Sequence, residues 1–311
     1  MAGTFTHWMV VEEALDKYSR LKGKHKYFNI ILRRNHFVNL GAVGPDYPYL
    51  TDLMAGMLKT HTWADRMHYE NTGEFLKMAA LYLLKRKGEE FSTCLSWLCG
   101  FVSHVLVDAV VHPVVNTIVG PYIFNSSEHR HCEMIQDSYI FREIKRTELR
   151  YSDYVGLLKQ CADPADEECI HPFIRTLWEE ILEASHPGGE VYFDNIKPDV
   201  WHGNFLSKIS IAADPIPVFR HFGEEKSLVY KRVKDFDEGE KKRFIEEVRL
   251  PGGKIGIFRK DVFDKAVAKV IDVWQTLFVD LERKDLSVFD ACIKNWNLDT
   301  GVDEDTLHFW S

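Results

Sequence analysis

Three polar residues on one apolar stretch set the chemistry of this chain. Between Gly100 and Pro113, His104, Asp108 and His112 recur at intervals of four. In a helix each such step turns by about 40°, so the three side chains lie within an arc of roughly 80°. Their neighbours are Val, Leu, Ala and Phe. Separate satisfaction of each polar group by the surrounding fold is the plainer explanation, and it suits a lone histidine. For three on one stripe it is poor, because an ionised aspartate in apolar surroundings costs several kcal/mol without a partner. A divalent metal partners all three together, since imidazole nitrogen and carboxylate oxygen are ordinary zinc ligands.

A second pair follows. His129 and Glu133 are again four apart and follow the first cluster in the order an antiparallel helix pair needs. Alone such a pair is a weak signal, since most are surface residues. His131 and Asp137 lie close by and either support such ligands from behind or simply face solvent. Other candidates need context. His7 stands at a helix start, Asp46 lies in the turn-like Gly44-Pro45-Asp46-Tyr47-Pro48, and His61 and His68 both precede the next helix.

The elements that must position these groups read as helices nearly throughout. Thr6 is expected to cap a helix from His7 to about Arg20. Residues 39–50, with two glycines and two prolines, are expected to form a stiff loop. Asn71 with Glu74 is a capping-box variant opening a helix that stops near Lys87-Gly88. Glu90 to His112 is apolar on nearly every side, which marks the central helix of a bundle, and Pro113 is expected to end or kink it. Asn125 with Glu128 opens a further helix towards Arg146. Two shorter helices follow at about Ser152–Gln160 and Pro172–Ala184, and helical spacing returns from Val262 to Leu281. Residues 186–260 are irregular, with a possible short strand at Lys254–Phe258. The prediction is an all-α fold: one helical domain over residues 1–311 with an irregular insertion at 186–260.

Composition excludes several roles. Thirty-nine Lys and Arg against 47 Asp and Glu give a net charge of −8, with the 14 histidines neutral. That sign disfavours electrostatic binding to duplex nucleic acid or to an anionic membrane. No apolar run approaches the ~18 residues of a membrane span. The start of the chain lacks a basic n-region and an apolar h-region, and the six cysteines form no CxxC pair. A cytoplasmic location with reduced thiols is the expectation.

Taken in order, Thr6-His7 at a helix start, the loop Gly41-Ala-Val-Gly-Pro-Asp46, His68-Tyr-Glu-Asn-Thr-Gly-Glu-Phe, His104-x3-Asp108-x3-His112-Pro and His129-x3-Glu133 resemble the zinc-dependent phospholipase C family, which shares its helical fold with zinc-dependent single-strand nucleases. The motifs cover about residues 5–145; residues 186–260 match nothing in the resemblance. The resemblance implies two or three zinc ions. Asp46, His68, His104 and Asp108 would surround one, with Asp108 bridging to a second, and His112, His129 and Glu133 would hold another. His68 is preferred to His61 because the residues after it lead directly into a helix. His7 would serve the metal that, in secreted members, is also bound by the mature N-terminal residue. Here Met1 stands six residues ahead of His7 with no sign of processing to a terminal Trp. That ion is therefore expected to be weak, absent or differently completed. The Asp108-to-His112 spacing is also shorter than in the best-known secreted members.

The implied reaction is metal-assisted hydrolysis of a phosphodiester such as a phospholipid head-group linkage, with Asp46 as general base or only as ligand. A nuclease or nucleotide phosphodiesterase is the alternative within the same chemistry. A non-catalytic helical protein with one structural zinc is the alternative outside it, and would close a single metal with four ligands. A di-iron carboxylate bundle would use Glu128/His131, Glu168/His171 and Glu183/His186 and would leave the His104 stripe unexplained. There is no adjacent His-Asp pair for an HD-type phosphohydrolase, and no HExxH for a zinc protease.

Overall fold

The computed structural model describes residues 3–49, 62–149, 152–188, 196–213 and 230–311. Helices dominate them. The first three are α1 (Thr4–Ser19), α2 (Lys26–Arg33) and α3 (Asn35–Gly41), followed by a 3-10 turn at Gly44–Asp46. Next come α4 (Trp63–Tyr69), α5 (Thr72–Leu84), α6 (Gly88–Val119) and α7 (Tyr122–Lys145). After α8 (Ser152–Lys159), a small antiparallel pair, β1 (Ala162–Asp163) and β2 (Asp166–Ile170), leads into α9 (Pro172–Ser185) and α10 (Pro198–Ala213). A short α11 (Glu238–Lys241) precedes a second antiparallel pair, β3 (Val248–Arg249) with β4 (Ile255–Gly256). The chain ends with α12 (Asp264–Arg283), α13 (Ser287–Cys292) and a looped C-terminal segment. The described residues form an all-α fold with two minor sheets.

Helix α6 is the axis. Every residue from Thr93 to Val115 is buried, and α1, α2, α3, α5, α7, α9 and α12 all pack on it. By length and apolar composition α6 could also cross a membrane, which the sequence reading did not anticipate. Its apolar window is wholly buried inside the molecule, as a bundle's central helix requires. Pro113 does not end it. A proline removes one helical hydrogen bond and crowds the carbonyl four residues back, here that of Ala109. Gly301 of the C-terminal segment lies against this spot: a Cβ there would stand 2.6 Å from Pro113 Cγ and 2.9 Å from the Ala109 oxygen. Packing from the end of the chain covers the defect, and the helix continues to Val119.

Several helix starts are as expected in place but not in chemistry. Thr6 is not the cap of α1; its hydroxyl and backbone N–H both donate to Asp137 on α7, at 2.6 and 2.7 Å. Asn71 sits at φ 50° and makes no side-chain cap, and Asn295 accepts from Glu74 N instead. Asn125 does not begin α7 but marks a kink inside it, with φ −140°. The stiff loop expected at 39–50 is partly helical, since α3 enters it and Gly44–Asp46 forms a 3-10 turn. Within the region expected to be irregular, α10 is a regular helix. Lys254–Phe258 contributes only the two-residue β4. All six cysteines are free thiols.

Candidate metal centre

Four elements bring the candidate ligands to one place: α1 carries His7, the 3-10 turn Asp46, α4 His68, and α6 His104, Asp108 and His112. Each is fixed locally. Helix α1 is anchored by Asp137, whose second oxygen accepts from Phe5 N at 3.2 Å and from the Tyr230 hydroxyl at 3.0 Å. Helix α4 opens with a reciprocal capping box between Thr62 and Asp65. Helices α3 and α6 touch backbone to backbone at Gly41 and Gly100. A Cβ on Gly100 would stand 2.0 Å from the Val38 carbonyl, and one on Gly41 2.0 Å from that of Trp97. That approach sets the Ala42 carbonyl 2.9 Å from His104 Nδ1.

Hydrogen-bond chemistry then decides where the ring protons are. A carbonyl oxygen only accepts, so His104 Nδ1 must donate to Ala42, and His68 Nδ1 must donate to the Ala64 carbonyl at 2.7 Å. In the neutral rings both Nε2 atoms are therefore lone pairs, and they face each other at 3.2 Å. Asp46 Oδ1 lies 3.3 Å from His68 Nε2, and Asp108 Oδ2 lies 3.3 Å from His104 Nε2 and 3.6 Å from His68 Nε2. Two lone pairs and two carboxylate oxygens point into one buried space. Such a space needs positive charge: protons on the rings in the metal-free protein, or a divalent cation.

The other oxygen of Asp108 faces the opposite way. Its Oδ1 is 3.2 Å from His7 Nε2 and 3.4 Å from His112 Nε2. The His7 ring stacks on His104 at 4.1 Å between centroids, nearly parallel. Both ring nitrogens of His7 and of His112, and Asp46 Oδ1, are buried with no hydrogen-bond partner among the described residues. Burial alone would raise both carboxyls. For Asp46 the effect is outweighed by His104, His68 and His7, and its carboxyl is held below the ordinary range. For Asp108 the opposing groups are His112, His104 and His7, and its carboxyl is held well below that range. Both shifts favour the carboxylate form while positive charge sits in the space between them. Two donor sets result, Asp46/His68/His104 and His7/His104/Asp108, each with ligand atoms within 4.8 Å of one another. Imidazole nitrogens and carboxylate oxygens converging in a buried space, with both ring nitrogens of His7 and of His112 left without a hydrogen-bond partner among the described residues, fit a zinc centre.

His129 and Glu133 are both buried on α7 but belong to neither close set. His129 Nε2 donates to the Gly120 carbonyl at 2.5 Å, which leaves Nδ1 as the lone pair. Burial lowers the His129 pKa, Gly120 and Glu133 oppose this, and His112 adds to the lowering. His131 faces outward and pairs with Glu240 at 3.0 Å. His171 and His186 are engaged with Phe173 N and with the Glu70 carbonyl, so the Glu-x-x-His pairs do not converge. His61 lies outside the described residues. Two residues at the centre escaped the sequence reading. Asn116 continues the four-residue stripe from His112, a signal that was there to be read. Asp299, 3.8 Å from His112 Nδ1, had none.

Against known proteins, a family model described as zinc dependent phospholipase C matches residues 6–188. No curated protein and no solved structure matches the chain. The matched span takes in both donor sets together with His112, His129 and Glu133, and it covers more than half of the sequence. The chain belongs to the zinc-dependent phospholipase C family.

Proposed function

We propose that this chain is a zinc-dependent phosphodiester hydrolase that cleaves the head-group linkage of a phospholipid, releasing diacylglycerol and a phosphorylated head group. The observation that carries the reading is geometric: His104 Nε2 and His68 Nε2 face each other 3.2 Å apart, with Asp46 Oδ1 3.3 Å from His68 Nε2 and Asp108 Oδ2 3.3 Å from His104 Nε2. Asp46, His68, His104 and Asp108 would hold one ion. Asp108 and His7 would serve a second, and His112, His129 and Glu133 a third. Bound there, zinc lowers the pKa of water towards neutrality and offsets charge on phosphoryl oxygens.

The chain's own residues do the rest. Asp46 is ionised and buried, and its Oδ1 has no hydrogen-bond partner among the described residues. It is therefore placed to take a proton from an attacking water. Asp108 presents one oxygen to each half of the centre and keeps the two halves in register. The Ala42 and Ala64 carbonyls hold His104 and His68 in the tautomer that leaves Nε2 unprotonated.

Lipid is favoured over nucleic acid by a ridge beside the centre. Ile123 and Phe124 are 82% and 80% exposed, and the half-exposed Tyr122 meets the His129 ring edge-on at 5.3 Å. Adjacent exposed apolar side chains of this size are unusual on a soluble surface and suit contact with an acyl interface. The net charge of −8 disfavours a polyanionic substrate.

The test is to offer phosphatidylcholine, single-stranded DNA and bis-p-nitrophenyl phosphate side by side to zinc-loaded protein. Release of diacylglycerol, lost with chelator and restored by Zn²⁺, is the expected result. Preference for DNA would make the chain a nuclease. No turnover of any of the three by fully loaded protein would overturn the enzyme reading.

A further inference from the structure

We propose that Asp299, brought by the C-terminal segment beyond the family match, is a positioning residue of the metal centre that orients His112. The inference rests on the zinc reading above and adds a residue to it. Three rings of the site have their orientation set by a backbone carbonyl, Ala42 for His104, Ala64 for His68 and Gly120 for His129, whereas His7 is held by stacking on His104. His112 has no such carbonyl among the described residues. It is 3% exposed, and neither ring nitrogen has a hydrogen-bond partner there. What faces it is a carboxylate on each side: Asp108 Oδ1 at 3.4 Å from Nε2 and Asp299 Oδ1 at 3.8 Å from Nδ1. A carboxylate behind a metal-binding imidazole fixes its tautomer and raises its basicity. Asp299 does for His112 what the carbonyls do for the other rings: it takes the Nδ1 side and leaves Nε2 to the centre.

Asp299 is held where this role needs it. Asn116, one turn beyond His112 on α6, donates to the Asp299 carbonyl at 2.5 Å and to its Oδ1 at 3.3 Å. Asn297 Oδ1 accepts from the backbone N–H groups of Asp299 and Thr300, each at 3.1 Å. The preceding residue, Leu298, donates its N–H to the His68 carbonyl at 2.8 Å. One short segment thus grips two ligand-bearing helices at once, α4 through His68 and α6 through Asn116. Gly301, pressed against Pro113 and Ala109, fixes its far side.

The experiment compares zinc release to a chelator from loaded wild type, Asp299→Asn, Asp299→Glu and Asp305→Asn, the last removing an exposed acid of the same segment. Melting of each metal-free protein is read in parallel. Asp299→Asn should release one ion about 10–100-fold faster, the range seen for residues supporting metal ligands. The remaining ions and the metal-free melting temperature should stay near wild type. Cobalt substitution should show an altered absorption band for that one site. Asp299→Glu should be affected several-fold less, and Asp305→Asn not at all. Wild-type release from Asp299→Asn overturns the proposal, as does faster release that merely follows an equal loss of metal-free stability. If Asp299→Asn does not fold, Asp299→Glu decides, and wild-type release from it overturns the proposal. A wild type that takes up no zinc defeats the metal reading itself, and this is seen before any variant is compared.

Discussion

His104 and His68 have little freedom. Each spends its Nδ1 proton on a carbonyl, and what remains are two lone pairs across a gap too narrow for anything but a cation. Asp46 faces the same gap, and replacing it separates two roles. Asp46→Asn should lower phosphodiester hydrolysis by about 100-fold or more, the scale of a lost general base. Zinc content should fall as well only if Asp46 is a ligand. A variant with wild-type rate and wild-type zinc would remove it from both roles.

Behind these residues stands Asp137, which the sequence offered only as a neighbour of His129. Burial lifts its carboxyl to about 6, against the hydrogen bonds from Thr6 and Phe5 that pull it down. A carboxyl raised on folding binds its proton more readily in the folded chain than in the unfolded one. Its ionisation therefore costs stability as pH rises from about 4 to about 6, and stability returns as pH falls through that window. Metal-free wild type should gain about 2 kcal/mol relative to Asp137→Asn between pH 6 and pH 4, measured by urea unfolding. A pH-independent difference would contradict the buried, titrating carboxyl.

At the scale of elements, the stripe on α6 was legible because helical period depends on local sequence alone. The caps were not. Asp137 caps α1 from α7, and Asn295 serves α5 from near the end of the chain, so local capping patterns at Thr6 and Asn71 pointed to the right places for the wrong reason. Pro113 misled as well: α6 runs past it to Val119, with Gly301 from far along the sequence packed against the spot. The contact between α3 and α6 is the most sensitive of these tertiary arrangements. Gly100→Ala puts a methyl group into the Val38 carbonyl and must push α3 away, taking the Ala42 carbonyl from His104. It should cost about 1–3 kcal/mol, the usual scale of overpacking, and weaken zinc retention as well. A variant that melts like wild type would show that the helices are not in register as described.

For the whole molecule, an all-α fold and most of the centre could be read from one sequence because five short motifs appear in order. The C-terminal segment could not, since neither Asp299 nor Gly301 belongs to a periodic pattern and both matter only through where the chain returns. The exposed ridge was also missed, because Tyr122, Ile123 and Phe124 look like the start of any helix until their surroundings are known. Its role is open to direct test. Ile123→Ser combined with Phe124→Ser should reduce hydrolysis of phosphatidylcholine vesicles about tenfold or more, as two apolar side chains lose the interface. Hydrolysis of a short-chain soluble phospholipid should stay near wild type. Equal losses on both substrates would place the ridge in the site and not at a membrane.

Asp108, with one oxygen facing His7 and His112 and the other facing His104 and His68, is expected to serve more than one ion. Zinc content per chain, measured by elemental analysis on protein prepared without chelator, decides this. Wild type should carry two or three ions, and Asp108→Asn should lose more than one metal position. A folded wild type with one ion or none, or an Asp108→Asn variant with full zinc content, would rule out a shared carboxylate.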